Sequence, residues 1–551
     1  MVRSLSFYVY SLLAACGAEP MTPAESVAAT AMMPAAASTS FAPRLAPTAA
    51  GQAGVGTSAR STATGAGAGG SATAAAPVAS GASGAVSNVP AMNVPATGAA
   101  GSGAAAAAGG TADAGSTAAA AGSAAAPAMA PDSQPPGPLF PSNGATNVCA
   151  DVSLHLRFDA KPSLGTGKIS VFEKGGSTPV ASVDVSAGQS SVSPGGTQLT
   201  FVQPVFVVDK EVVVQLPAAL AYGKSYYVKV DSGAVRGSGG AMPTAESDWS
   251  FSTRAAPPSD MTKLRVALDG TGDFCSVQVG LEAAASGATV TLGRGYYHEL
   301  IHVSGKAGVT LRGDDRKASV ILGVNNDKLN SGTAKRSLVN IEKSSDLTIE
   351  RLTIHNLTEQ GGSQAEALRL QNCDKCVVRD ADILSLQDTL LWNGRIYAKD
   401  LYVAGNVDFI WGTGGVFFDH CEIKTVGRKG YVVQSRNDAA GYGYVFVDSK
   451  ITADSGVTGI LLARIDSSVY PGSHVAFINC EMGNHIAPEG WMVTGAGVGS
   501  ALRFWEYQST DAGGRPLDVS RRLPGSKQIT ADQAATMRDP AKVLGGWMPP
   551  Q

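Results

Sequence analysis

One apolar template recurs through the second half of this chain and constrains its fold more than any other feature. Written φ-x-φ-x-x-φ-x-φ, it reads as Leu347, Ile349, Leu352, Ile354, then Cys376, Val378, Ala381, Ile383, then Ile396, Ala398, Leu401, Val403. It continues as Val416, Phe418, Cys421, Ile423, then Tyr444, Phe446, Ser449, Ile451, then Val475, Phe477, Cys480, Met482. Starts at 347, 376, 396, 416, 444 and 475 give steps of 29, 20, 20, 28 and 31 residues. Irregular repeats of this length with strand-like alternation indicate a solenoid. Alternation inside each unit excludes a helical repeat, and no long amphipathic helices intervene, so the fold class is all-β, with a right-handed parallel β-helix at the C-terminal end. Cys421 and Cys480 share the template column of Leu352, Ala381, Leu401 and Ser449 and are expected as stacked core thiols.

The rest of the 551 residues divides by composition. The first residues, ending at Leu13-Ala14-Ala15-Cys16-Gly17, look like a lipoprotein-type signal over 1–16, with Cys16 as the lipidation site. Residues 17–136 are Ala, Gly, Ser, Thr and Pro with few large apolar side chains, and are expected to be a linker without a core. Short alternating strands such as VSLHLRFDA, KISVFE, QLTFV, EVVVQLP and SYYVKV make 137–254 a small β-sandwich, expected as a stalk or a carbohydrate-contacting module. The β-helix is assigned to 260–551. Cys373 and Cys376 lack the second pair that a zinc site would need, and read as a local disulfide or free thiols. The formal charge of -3 argues against a nucleic-acid partner.

Within the solenoid, Asp388 lies 12 residues after Cys376 and Asp408 lies 12 after Ile396. Equal offsets in adjacent coils put the two carboxylates one above the other, on rungs about 4.8 Å apart. Two such groups cannot both ionise freely, which separates an acid from a nucleophile. The cation that would hold one of them ionised is expected from Arg464, which falls on the same stretch of its own coil. Gln364 and Gln387 fall there too and offer amide donors for an oxyanion. There is no G-x-S-x-G elbow and no H-E-x-x-H pair, and neither a metal nor a cofactor is expected.

The motifs also occur in an order that resembles the pectin methylesterase family. VALDGTGDFCSVQVGLEAA opens the domain, followed by GYYHE at 295–299, QAEAL at 364–368, QDTLLW at 387–392 and DFIWG at 408–412. LLARID at 461–466, IAPEGW at 486–491, RFWEYQSTDAGG at 503–514 and the closing ITADQAATM with GGWMPP complete the set. The 137–254 segment is similar to bacterial Ig-like domains. The family resemblance implies hydrolysis of galacturonate methyl esters in pectin, with Asp408 as nucleophile and Asp388 as general acid and then base. It also implies Gln387 and Gln364 as oxyanion donors and Arg464 as the residue that orients Asp408.

Departures fall on the substrate wall. The family's arginine and tryptophan pair is here Arg464-Ile465-Asp466, its aromatic after QDTL is Leu391, and its phenylalanine of the nucleophile strand is Trp411. Leu391, Trp411, Asp466 and Trp392 are therefore the expected substrate-binding residues. The altered wall keeps open an ester or thioester hydrolase with another substrate, and a non-catalytic pectin-binding surface protein is the remaining alternative. The expected partner is methyl-esterified pectin, and the expected state is an exported or cell-surface monomer that meets a membrane, in all expectation an outer membrane, only through a lipid at Cys16.

Overall fold

The computed structural model describes residues 137–239, 242–359, 361–427 and 430–550. The expected signal, its lipidation site Cys16 and the linker lie outside the described residues. Among these residues, no helix is long and apolar enough to cross a membrane.

From Lys263 onward, strands stack in parallel as a three-sided β-helix. One face carries Thr310–Gly313, Thr348–Glu350, the end of Leu368–Arg379, the end of Leu390–Lys399, Val416–Asp419, Tyr444–Val447 and His474–Ile478. A second runs through Gly295–His298, Ser319–Gly323, Thr353–Asn356, Asp382–Leu384, Tyr402–Gly405, Glu422–Thr425 and Lys450–Ala453. The third carries Ile301–Ser304, Val339–Glu342, the start of Leu368–Arg379, the start of Leu390–Lys399, Val407–Gly412, Tyr431–Ser435, Leu461–Asp466 and Trp491–Thr494.

The template maps onto the first two faces and the bend between them. Its apolar positions line the interior, where Phe418, Phe446 and Phe477 stack at centroid distances of 4.4 and 4.7 Å. The second of its two central x residues makes the bend with positive φ, at Asp380 (47°), Asp400 (52°), His420 (53°), Asp448 (49°) and Asn479 (53°). Asp and Asn tolerate that left-handed backbone better than other side chains. Cys421 and Cys480 are free thiols in the buried column, as the template requires. Cys373 and Cys376 form the local disulfide.

The N-terminal β-sandwich pairs Leu139–Phe140, Leu154–Arg157, Glu211–Val214 and Val205–Val208 in one sheet. Its other sheet is Ala145–Val148, Ser250–Thr253, Ser225–Val230, Lys168–Glu173 and Pro179–Asp184. Trp249, Ile169, Val228 and Leu154 fill the space between them.

The segment QLTFV behaves differently from its expected place in the sandwich. Among the described residues, Leu199–Val202 pairs only with Gln189–Val192, and Leu199 and Phe201 join the buried cluster of the β-helix. Its neighbours there include His298, whose ring lies 4.7 Å from Phe201 and 4.9 Å from Phe206 and which burial holds neutral down to about pH 4. Further links tie the two parts together. Cys149 is disulfide-bonded to Cys275. Asp151 accepts hydrogen bonds from the Cys275 and Ser276 amides, and Arg254 donates to the Asp273 and Gly272 carbonyls. The sandwich is thus packed against and bonded to the β-helix, through Leu199, Phe201 and the Cys149–Cys275 disulfide.

Candidate active site

The third face of the β-helix positions the site. Leu368 pairs with Leu390, which pairs with Ile410, and all three side chains are buried in the core. Side chains alternate across a strand, so the next residues, Arg369, Leu391 and Trp411, form a column on the outer side. Carrying the register two residues back from Leu368, Leu390 and Ile410 places Glu366, Asp388 and Asp408 in one column. The coils are joined at this level by Ala367 N–H to Thr389 O (2.9 Å) and Asp388 N–H to Val407 O (3.1 Å). The expected pair of aspartates is therefore stacked, and it is extended by a third acid that the spacing argument overlooked.

Both aspartates have left-handed backbones, with φ of 66° at Asp388 and 46° at Asp408. Such conformations cost free energy and persist where surrounding structure enforces them. Below them, the Tyr444 hydroxyl donates to the Trp392 and Trp411 carbonyls at 2.7 and 2.8 Å. Gly412, at φ 134°, must be glycine because a Cβ there would lie 2.4 Å from the Trp392 oxygen.

Arg464 lies against Asp408, on the stretch of its coil where the spacing puts it. Its Nε donates to Asp408 Oδ1 at 2.8 Å and Oδ2 at 3.1 Å, and its Nη2 also donates to Oδ2. The guanidinium lies 4.4 Å from the centre of the Tyr431 ring, which fixes its plane. A second arginine, Arg336, was not anticipated: its Nη2 donates to Asp388 Oδ2 at 3.0 Å while the same side chain grips Glu366. Arg436 lies 4.2 Å above Trp411 and completes the cationic surround.

Burial pushes the Asp388 carboxyl well above the usual range, with the Glu366 charge adding to it, Arg336 pulling it down, Asp408 raising it and Arg436 lowering it. Its surroundings thus favour the protonated form of the Asp388 carboxyl over that of a free one. Gln364 and Gln387 sit half-buried on adjacent coils, linked by the Ala365 N–H to Gln387 O bond at 3.1 Å. The Gln364 side-chain oxygen accepts from the Ser363 hydroxyl at 2.9 Å.

The expected wall divides. Leu391 and Trp411 are neighbours on the outer side of their strands, yet both are buried, Trp411 beneath the Arg436 guanidinium. Trp392 is not a wall residue: it is fully buried and stacked on Phe418 at 5.6 Å. Strand parity is the reason, since Trp392 shares the inward face with Leu390. Asp466 is exposed and accepts from the Ser468 amide at 3.0 Å, closing its own turn. Arg336 and Glu366 were missed, although the offset of Glu366 before Leu368 equals that of Asp388 before Leu390.

Comparisons with known proteins point to one family for the β-helix and another for the sandwich. The family described as Pectinesterase matches residues 263–546, and the family described as Bacterial Ig-like domain matches 138–253. Pectinesterase 31 of Arabidopsis thaliana is 29% identical over 288 residues, covering 49% of this chain and 89% of that protein. Probable pectinesterase A of Neosartorya fischeri is 26% identical over 291 residues, covering 49% of this chain and 86% of its own length. Among solved structures, the pectin methylesterase from carrot is 26% identical, with coverage of 51% and 93% and a TM-score of 0.46. Because the family match spans more than half of the chain and contains the whole acid column, this chain belongs to the pectinesterase family of carboxylic ester hydrolases.

Proposed function

We propose that the protein hydrolyses methyl esters of galacturonate in pectin, releasing methanol and leaving pectate, through an acyl-enzyme on Asp408. The observation that carries this reading is the stacked Asp388 and Asp408 with Arg464 on both oxygens of Asp408. Asp408, held as a carboxylate, attacks the ester carbonyl carbon. Gln387 and Gln364 donate amide N–H groups to the oxyanion that develops. Asp388 gives its proton to the methoxy oxygen, the C–O bond breaks and methanol leaves. Asp388, now a carboxylate, takes a proton from water, whose oxygen attacks the acyl carbon and frees Asp408.

Leu391 and Trp411, apolar neighbours on the outer side, also support a second reading, an ester or thioester hydrolase with a different acyl group. Methanol release from highly methylated pectin by the full chain is the test. Release at a rate proportional to enzyme supports the pectin reading, whereas no methanol together with turnover of an acyl thioester supports the second.

Truncating Trp392, which faces the interior, should act through stability, whereas truncating Trp411 should also act on substrate binding. Trp392→Ala is expected to cost roughly 3 to 5 kcal/mol of stability, read by thermal or denaturant unfolding. Trp411 is also buried, packed under the Arg436 guanidinium, so Trp411→Ala is expected both to lower the melting transition and to raise KM about tenfold, by removing a ring from the wall beside the aspartates. The same reading puts the protein outside the cytoplasm, where disulfides such as Cys149–Cys275 and Cys373–Cys376 persist. Lipid attachment at Cys16 belongs to that proposal, and mass measurement of the mature N-terminus tests it.

A further inference from the structure

Beside the catalytic aspartates lies a buried ion pair that the reaction as written does not use. Glu366 is fully buried, and Arg336 nearly so. Arg336 Nε donates to both Glu366 oxygens at 3.0 Å, and Nη2 donates to Oε1 at 2.7 Å. Burial raises the Glu366 carboxyl above its ordinary range while Arg336 pulls it down, and the three hydrogen bonds from the guanidinium favour its carboxylate form. The other Nη2 proton goes to Asp388 Oδ2 at 3.0 Å.

The loop that delivers Arg336 is itself fixed. Asn325 donates to the carbonyls of Lys335 and Ser337 at 2.8 Å, and accepts from Asn330 at 2.8 Å. Asn330 also exchanges two hydrogen bonds with the Thr200 backbone of the sandwich hairpin, at 2.8 and 2.9 Å. Asp327 takes a further bond from Arg336 at 3.3 Å.

Resting on the reading of Asp388 as the general acid, we propose that Arg336 and Glu366 form a positioning pair that fixes which oxygen of Asp388 carries the transferable proton and how firmly it is held. Oδ2 accepts from Arg336, so the proton is left on Oδ1, and one carboxyl orientation is selected. An arginine alone beside Asp388 would keep it ionised and useless as an acid. Glu366 cancels that charge while leaving the hydrogen bond, so Asp388 can be protonated before methanol leaves and is still steadied as a carboxylate afterwards. The charged groups facing Asp388 are Arg336 and Glu366 on one side, Asp408 and Arg464 on the other, and Arg436 across the wall. Removing the Glu366 charge therefore leaves the cations in excess.

The pH dependence of kcat for methanol release tests this on the full chain. In Glu366→Gln, the alkaline limb, where protonated Asp388 is lost, is expected to move to lower pH by about 1 to 3 units. The double variant Arg336→Met with Glu366→Gln removes both charges, so its limb should return near the parent position while kcat falls about tenfold for want of the orienting bond. An unmoved limb in Glu366→Gln overturns the inference. If that single variant does not fold, a double variant with the parent's kcat and limb overturns it instead. Asp388→Asn serves as the control. If it turns over like the parent, the acid role and this inference fall together; if it is inactive while the limb of Glu366→Gln stays in place, only the inference falls.

Discussion

Asp408→Asn is expected to lower kcat by about 10⁴-fold or more while the protein folds and binds polymer like the parent. The substitution keeps size and hydrogen-bonding shape but removes the attacking carboxylate and the charge that Arg464 grips through both oxygens. The loss should appear in kcat and kcat/KM alike, because the missing bond exists only after the substrate has bound. Fluorescence or calorimetric melting of the variant separates this from misfolding. Some stability change is expected, since Arg464 loses its partner, but the guanidinium is half-buried over Tyr431 and retains access to water. Turnover at the parent rate would mean that the attacking group lies elsewhere.

The second large effect concerns the sandwich. A chain cut near residue 255 is expected to be several kcal/mol less stable than the full chain, or insoluble. The cut removes Leu199 and Phe201 from the β-helix cluster and leaves Cys275 without Cys149. Losing a buried phenylalanine costs roughly 3 to 5 kcal/mol, and losing a native disulfide roughly 2 to 5 kcal/mol, although such terms do not simply add. Loss of the Thr200 to Asn330 bonds should also loosen the loop that carries Arg336. Denaturant unfolding of the two chains, with methanol release measured in parallel, checks the expectation. Equal midpoints would show that the sandwich is dispensable to the helix.

The solenoid was legible in the sequence because stacking like upon like leaves a written period, and its interior columns are the template's apolar positions. The aspartate pair was legible for the same reason: equal offsets in adjacent repeats become neighbours. Arg336 escaped because it lies before the first clear repeat at Leu347, in a coil whose step to the next, from Val339 to Leu368, belongs to another face. Glu366 lies within QAEAL and is found by extending the aspartate column one coil. Trp392 was misplaced for want of parity, since Leu390 and Trp392 must face the same way. The sandwich junction had no sequence signature. Leu199 and Phe201 alternate with polar residues whichever apolar layer covers them, and a pair of cysteines 126 residues apart does not announce its bond.

The most direct measurement is rapid quenching of the enzyme during turnover of a methyl-esterified oligogalacturonide, followed by peptide mass mapping. The expected result is a galacturonyl adduct on the peptide that contains Asp408, formed together with one equivalent of methanol and dischargeable by hydroxylamine. An adduct on another side chain, or a burst of methanol with the label absent from that peptide under conditions where the anhydride survives, would contradict it.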